Sequence, residues 1–420
     1  MANILILNTG TSNKGNRALI YSVTKIMNDN LPTSSFSFMG PEETYYDGTF
    51  IKMQLGWGFS IKKPFNIISS IFYIIYCILL NTIKKFKGNF KLNPNNRLFD
   101  YWNADIVINS GGDCLSGEYG IGTLGSFFNI SYAIILNKPI ILFGESLGYF
   151  NNRFLDSFAK FILEKTDLII VRERLSEDYL IMNDIKQPKI VLAADPAFIL
   201  PYDSPEHVNE ILLNENVHLT DKVIGINPSG LISFFMGADK EIAERQMVNI
   251  FSKISDELVK ELDVSIILIP HVYTPGVDDR TIIDKIFNNC RFQNRIYPIK
   301  QEYKPQELKG IIKFCNIFIG ARMHATIAST SMCIPTIGIA YSHKMHGIIG
   351  DMLGLEEYVI DIQDIDYDYL LTKILDLWKN QESIKAHLVT INPSIKEKAN
   401  QSGLAIRQLI EEKYKYVLET

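Results

Sequence analysis

The chain has 420 residues, 47% of them hydrophobic and 21% charged, with a formal net charge of −5. Those totals exclude a disordered chain and one ordinary single core, so two domains are expected. The acidic balance, with no long basic stripe, excludes nucleic acid as the main partner. Five scattered cysteines, with no C-x-x-C pair and no ligand spacing, read as reduced buried thiols. The start lacks a charged n-region and enters a strand at once, so a cytoplasmic protein is expected.

Residues 4–7 form a short apolar run that predicts a buried strand. Residues 8–17 read as a polar, glycine-bearing loop, and residues 18–27 as the helix after it. Strand, glycine loop and helix start make a cradle for an anion or sugar, or simply a tight turn. The loop carries neither a G-x-G-x-x-G nor a Walker pattern. A second strand is expected at 36–39. After it, about twenty-five residues with Tyr45, Tyr46, Gly48, Trp57 and Gly58 read as a surface loop or lid.

Residues 65–80 are almost continuously apolar, with Lys62 and Lys63 before them and Lys84, Lys85 and Lys87 after. The run is slightly short of the roughly 20 residues of a spanning helix. Three readings stand open: a buried or subunit-interface helix, a helix lying in a membrane surface, or a true span. A subunit-interface helix would make the protein a homo-oligomer. The second reading would hold it at the inner face of the cytoplasmic membrane.

From residue 105 the scheme repeats: buried strand, polar or glycine turn, helix. Strands are predicted at 105–109, 139–143, 168–171 and 190–192, with helices at 126–136 and 154–164. Polar groups follow the strand ends: Gly111, Gly112 and Asp113, then Glu145, then Arg172 and Arg174, then Asp195. Asp195, before Pro196, reads as a turn or cap residue. Residues 202–221 are polar and irregular, and the domain boundary is placed there. The pattern then restarts with strands at 223–227, 265–269, 317–319, 336–340 and 358–360. Helices are expected at 243–260, 279–287, 305–313 and 346–353, then a helical tail whose residues 402–416 return to the first domain. The fold class is α/β, with two Rossmann-like parallel-sheet domains facing across a cleft. Their bounds are 1–205 and 221–380, with terminal helices at 381–420.

The stretch from 317 to 344 holds the densest chemistry. A strand, a turn at Gly320 and a helix start place Arg322, Met323 and His324 at a strand's carboxyl end. Pro335 and a second strand lead to Tyr341, His343 and Lys344. Cations beside a helix N-terminus suit a phosphate or carboxylate. His271, after Pro270, is a second imidazole that Asp278 or Asp279 can orient. Each side chain also has a plain structural reading. Arg322 can join a buried carboxylate between domains, either histidine can be structural, and Lys344 can be a solvated lysine.

The ordered set of motifs resembles the polysaccharide pyruvyl transferase family, whose members have a GT-B-like fold. The matching pieces are Gly15 to Ala18, Ser110 to Gly112, Gly144 to Gly148, Arg172 to Ser176, Asp195 to Phe198, Ile269 to His271, Arg322 to His324, Pro335 and Tyr341 to Lys344. The first loop departs from the family's acidic Gly-Asp-Glu-Ala pattern, having Gly15, Asn16, Arg17 and Ala18 instead. The resemblance implies a transferase that moves the pyruvyl group of phosphoenolpyruvate onto sugar hydroxyls as a ketal, in capsule or exopolysaccharide biosynthesis. It implies donor binding by Arg322, Met323, Lys344 and Arg172, and proton transfer by His324 and His271. It implies acceptor binding by Gly15, Asn16, Gly111, Gly112 and Asp113. The acceptor is a saccharide, with a lipid-linked form as one option. Phosphoenolpyruvate is a co-substrate; no resident cofactor or metal is expected. Two other readings remain: a glycosyltransferase with a nucleotide-sugar donor, and a non-catalytic member of an assembly complex.

Overall fold

The computed structural model describes residues 2–40, 44–46, 49–53, 65–88, 90–230, 239–415 and 417, with backbone alone at 44–46, 49–53, 65 and 66. Gly48, Trp57, Gly58, Lys62 and Lys63 lie outside the described residues. By contacts the chain divides into two units. Unit 1 is Met1–Thr11, Leu19–Pro196 and Glu397–Thr420; unit 2 is Ser12–Ala18 and Ala197–Lys396.

Unit 1 is built on a sheet ordered β3-β4-β2-β1-β5-β6-β7-β8 among the described residues. The strands are β1 (Asn3–Leu7), β2 (Ser35–Gly40), β3 (Thr44–Tyr46), β4 (Thr49–Met53), β5 (Ile106–Asn109), β6 (Ile140–Glu145), β7 (Leu168–Val171) and β8 (Lys189–Leu192). All neighbours are parallel except β3 and β4. Tyr45 and Tyr46, expected in a loop, therefore lie in a strand: alternate aromatic and β-branched residues on both arms favour pairing over a free loop. The central strands are buried along their length, which is why they read as unbroken apolar runs. The helices are α1 (Lys14–Asn30), α2 (Phe65–Lys87), α3 (Phe99–Asn103), α4 (Leu124–Ile135), α5 (Arg153–Glu164) and α6 (Arg174–Met182). α1 starts four residues before the expected position, because Asn13 caps it: its Oδ1 accepts from Gly15 N at 2.9 Å and its carbonyl from Arg17 N at 3.1 Å.

Unit 2 carries a parallel sheet ordered β11-β10-β9-β12-β13-β14. Its strands are β9 (Val223–Asn227), β10 (Ser265–Leu268), β11 (Ile296–Pro298), β12 (Ile317–Gly320), β13 (Thr336–Ala340) and β14 (Val359–Asp361). Its helices are α7 (Pro205–Asn214), α8 (Lys240–Leu262), α9 (Asp279–Asn289), α10 (Pro305–Ile312), α11 (Met323–Thr330) and α12 (His343–Met345), which runs into a π turn at His346–Met352. The stretch expected to be irregular contains α7. Ser204 Oγ caps it by accepting from His207 N at 3.2 Å, and Val208, Ile211 and Leu212 bury one face. The tail is one long helix, α13 (Tyr367–Lys413), despite Pro393 inside it. Its part to Lys396 belongs to unit 2, where Asn392 Nδ2 donates to Thr330 O at 2.8 Å. The remainder belongs to unit 1, where Gly403 lies against Ile26 and Asn30.

The unit 2 core leaves no room beside β9. A Cβ at Gly225 would sit 2.7 Å from both Cys315 Sγ and Phe318 Cδ2. Gly225→Ala should therefore lower the unfolding free energy of unit 2 by about 1–3 kcal/mol, the usual effect of overpacking a filled core. Urea denaturation followed by circular dichroism measures it; an unchanged midpoint would contradict the tight packing.

Candidate functional site

The polar residues of unit 2 gather where β9, β10 and β12 end. Gly320 lets the chain turn directly into α11: a Cβ there would lie 2.6 Å from Thr326 Cγ2 and 2.8 Å from Phe318. Arg322 is the residue before α11, and its backbone N donates to Asn227 Oδ1 at 3.0 Å. Its guanidinium reaches Asp279, with Nη2 to Oδ1 at 2.6 Å and Nε to both oxygens at 3.2 and 3.3 Å. Both side chains are almost wholly buried. The same carboxylate accepts backbone N–H groups from His271 at 3.0 Å and Val272 at 2.9 Å. Asp279 thus holds the arginine and the turn after β10 together. Burial pulls the arginine down, but Asp279 and Tyr341 outweigh it, so Arg322 stays charged with its pKa above the usual value. The paired carboxylate foreseen for Arg322 is found within its own unit.

His271 is buried, and burial, helped by nearby His324, Arg322 and Lys14, holds its pKa well below the usual 6.5. It is a neutral imidazole at neutral pH. Asp279 orients it through the backbone, while Asp278 caps α9 and pairs with Arg280 at 2.6 Å. His324 is half-buried in the first turn of α11. A Cβ on Gly15 would collide with the His324 ring, so glycine permits this close approach. Asn16 is half-buried beside it. The loop after β1 is fastened here by pairing. Lys14 N donates to His271 O at 3.0 Å, Tyr273 N donates to Ser12 O at 2.9 Å, and Asn13 bridges to Val272.

Lys14 was not foreseen. It is fully buried, bonds Glu302, and lies 4.8 Å from the centre of the Tyr273 ring, with Arg280 at 4.9 Å from the same ring. A lysine next to Gly15 in a strand-end loop was the available signal. Asn227 was also missed; an amide closing a buried strand marks it. Lys344 is buried in α12, against its reading as a solvated lysine. Met323 is half-buried at the helix start. Asp203, His207 and Glu307 form a separate group with ligand-type atoms within 4.8 Å of one another, partly exposed.

In unit 1 the strand ends hold a second buried polar group. Arg172 is fully buried, donating from Nη1 to Asp195 Oδ2 at 2.7 Å and from Nε to Ser146 Oγ at 2.9 Å. Asp195 is therefore the counter-ion of Arg172, more than the expected turn residue. Arg174, the other arginine after β7, is exposed at the start of α6. A Cβ on Gly112, which stands at φ 73°, would lie 3.3 Å from Arg172 Nη1, and a Cβ on Gly111 would collide with Cys114 Sγ. Asp113 is half-buried and accepts from Tyr119 Oη at 2.8 Å. Glu145 Oε1 accepts from Asn109 Nδ2 at 2.7 Å and Gly111 N at 3.1 Å. Burial pushes its pKa up to about 8, with Arg172 as the main opposing influence. Arg172, Gly111, Gly112 and Asp113 thus belong to unit 1, and Arg322, Met323, His324, His271, Lys344, Gly15 and Asn16 to unit 2.

Two α/β units with parallel sheets and polar strand ends define a GT-B-like protein. Solved structures share the fold: MnaA of S. aureus with UDP has a TM-score of 0.60, 12% identity and coverage of 100% of this chain and 98% of its own. A glycosyltransferase from Rickettsia africae has a TM-score of 0.57, 14% identity and coverage of 98% and 99%. A family model described as Polysaccharide pyruvyl transferase matches residues 13–343, and the chain belongs to that family of transferases. The amylovoran biosynthesis protein AmsJ of Erwinia amylovora is 24% identical over 288 residues, 67% of each chain.

Two titrations follow. The unfolded chain protonates His271 near pH 6.5 and the folded chain does not. Stability should therefore fall as pH drops below about 6.5, by at most about 1.4 kcal/mol per unit from this group. His271→Gln should remove that slope, read from urea midpoints between pH 7.5 and 5.5 as a difference from wild type; parallel profiles would contradict a buried neutral ring. Glu145 has the opposite sign. Its contribution is whole below its ordinary 4.5 and is lost as pH rises to about 8. Glu145→Gln should gain on wild type with rising pH over that window, by up to about 1.4 kcal/mol per unit. A gap independent of pH would show that Glu145 is ionised throughout.

Proposed function

We propose that the protein transfers the pyruvyl group of phosphoenolpyruvate to two hydroxyls of one saccharide during surface polysaccharide assembly. The observation that carries this reading is the grouping of Arg322, Asp279, His271, His324 and Gly15 in unit 2, within the stretch that matches the family. The biosynthetic role described for AmsJ supports the polysaccharide context.

The donor carries a phosphate and a carboxylate. Arg322, fixed by Asp279, supplies a charged fork, and the first turn of α11 supplies N–H groups that helix geometry leaves without intrahelical partners. Lys344 is the candidate for the departing phosphate. Two C–O bonds form at the enol carbon and its bond to the phosphate oxygen breaks. Of the two hydroxyl protons, one goes to the methylene carbon, making a methyl group, and one leaves with phosphate. His324, beside the Gly15 and Asn16 loop, is the candidate for delivering the proton to carbon. His271, kept neutral by burial, is the candidate for hydrogen-bonding an attacking hydroxyl through its unprotonated ring nitrogen. In unit 1 the reading gives Gly111, Gly112 and Asp113 the saccharide, and Arg172 an anionic group through Nη2, which finds no hydrogen-bond partner among the described residues. No resident cofactor or metal enters this scheme.

The test is titration calorimetry with phosphoenolpyruvate, UDP and GDP on wild type and Arg322→Ala. Phosphoenolpyruvate should bind the wild type, and Arg322→Ala should weaken it by about tenfold or more, the loss of a charge-assisted hydrogen-bond pair. Nucleotide binding without phosphoenolpyruvate binding would move the protein to a nucleotide-sugar-dependent glycosyltransferase.

A further inference from the structure

Among the described residues, one face of α2 is an exposed apolar stripe. Ile68, Ile71, Phe72, Ile75, Ile78 and Leu79 recur at helical spacing and are all about half exposed or more, from 48% to 63%. Phe86, one further turn pair along, is 86% exposed. The opposite face is fastened to unit 1. Cys77 and Leu80 are buried in its core, Asn81 Nδ2 donates to Ile135 O at 3.0 Å, and Tyr132 Oη donates to Ser70 O at 3.4 Å. The helix is longer than the apolar run suggests, and Ile67–Lys87 is long and apolar enough to cross a membrane by length and composition. A helix anchored along one side to α4 cannot also be surrounded by lipid, so spanning is excluded. Burial as a core helix is excluded too, since only 17% of its most apolar stretch is inside the protein.

Charge says what covers the face. Residues 65–99 hold five basic side chains, Lys84, Lys85, Lys87, Lys91 and Arg97, and no Asp or Glu, in a chain whose net charge is −5. All five are exposed. An apolar stripe ending in a cationic cluster matches a bilayer surface: side chains enter the acyl boundary and ammonium groups meet anionic headgroups. A second copy of the chain packed through this face would set the cluster against either the same cluster or the far end of α2, and residues 65–99 hold no acid to receive it. We propose that α2 docks unit 1 flat on an anionic lipid bilayer, with the stripe from Ile68 to Leu79 inserted and Lys85 and Lys87, which flank it, on the headgroups; Lys84 lies over the Trp102 ring on the packed side, 5.5 Å from its centre. This does not rest on the donor chemistry proposed above.

The test is flotation of the full chain with vesicles of phosphatidylglycerol and phosphatidylcholine, against phosphatidylcholine alone. Wild type should bind the mixed vesicles more tightly. Replacing Lys85 and Lys87 by Gln should weaken binding roughly fivefold per lysine, and the loss should shrink at high salt. Phe72→Glu with Ile75→Glu should weaken it at least about tenfold. Both sets are on exposed positions, and unchanged circular dichroism and phosphoenolpyruvate binding will separate a docking failure from a folding or donor-site failure. Absence of binding by wild type, or binding indifferent to both variant sets, would overturn the proposal. So would a dimer in sedimentation analysis that the Phe72→Glu, Ile75→Glu pair converts to monomer.

Discussion

The carboxylate of Asp279 is the constraint on which the unit 2 site depends. One buried anion holds the Arg322 guanidinium and two backbone N–H groups of the turn after β10. Removing a charge from water is costly, and a buried pair persists when every lone pair has a partner. The carboxylate stands at the start of α9, and its partners come from two further segments: the turn after β10 and the turn between β12 and α11. Pinning these segments sets where His271 and His324 stand. The loop after β1 then closes on them through main-chain pairing, and it can do so because position 15 has no Cβ.

Unit 1 applies the same physics with a different balance. Its buried arginine, Arg172, has Asp195 as a full counter-ion and Ser146 as a neutral partner. Glu145, close by, instead gains its hydrogen bonds from Asn109 and Gly111 and is held protonated by burial near neutral pH. Each unit therefore fixes a buried arginine at its strand ends, with imidazoles beside it in unit 2 and a glycine-lined turn beside it in unit 1. Imidazoles suit proton transfer, and glycines suit close approach of a ligand.

Where burial decides structure, the sequence was readable. β9 and β13 fall on the residues expected, because strands covered on both faces are unbroken apolar runs ended by polar or glycine residues. Arg322, His324 and His271 stood out because cations and imidazoles at strand ends have few structural uses. What escaped depended on partners distant in sequence. The start of α1 was hidden by polar residues whose cap is Asn13. α7 looked irregular because it exposes most of its surface. Lys14 and Asn227 act through Glu302 and Arg322, which lie 288 and 95 positions away. The length of α2 was underestimated because its last turns are lysines, which continue a helix as well as they end an apolar run.

In the proposed reaction Arg322, as Asp279 presents it, holds the donor's anionic groups. A crystal structure of the protein with phosphoenolpyruvate is the decisive measurement. Phosphate or carboxylate oxygens are expected within hydrogen-bond distance of the Arg322 guanidinium and the main-chain N–H groups at the start of α11, with His324 facing the methylene carbon. Phosphoenolpyruvate bound elsewhere, with Arg322 and Asp279 undisturbed and without contact to it, would rule this role out.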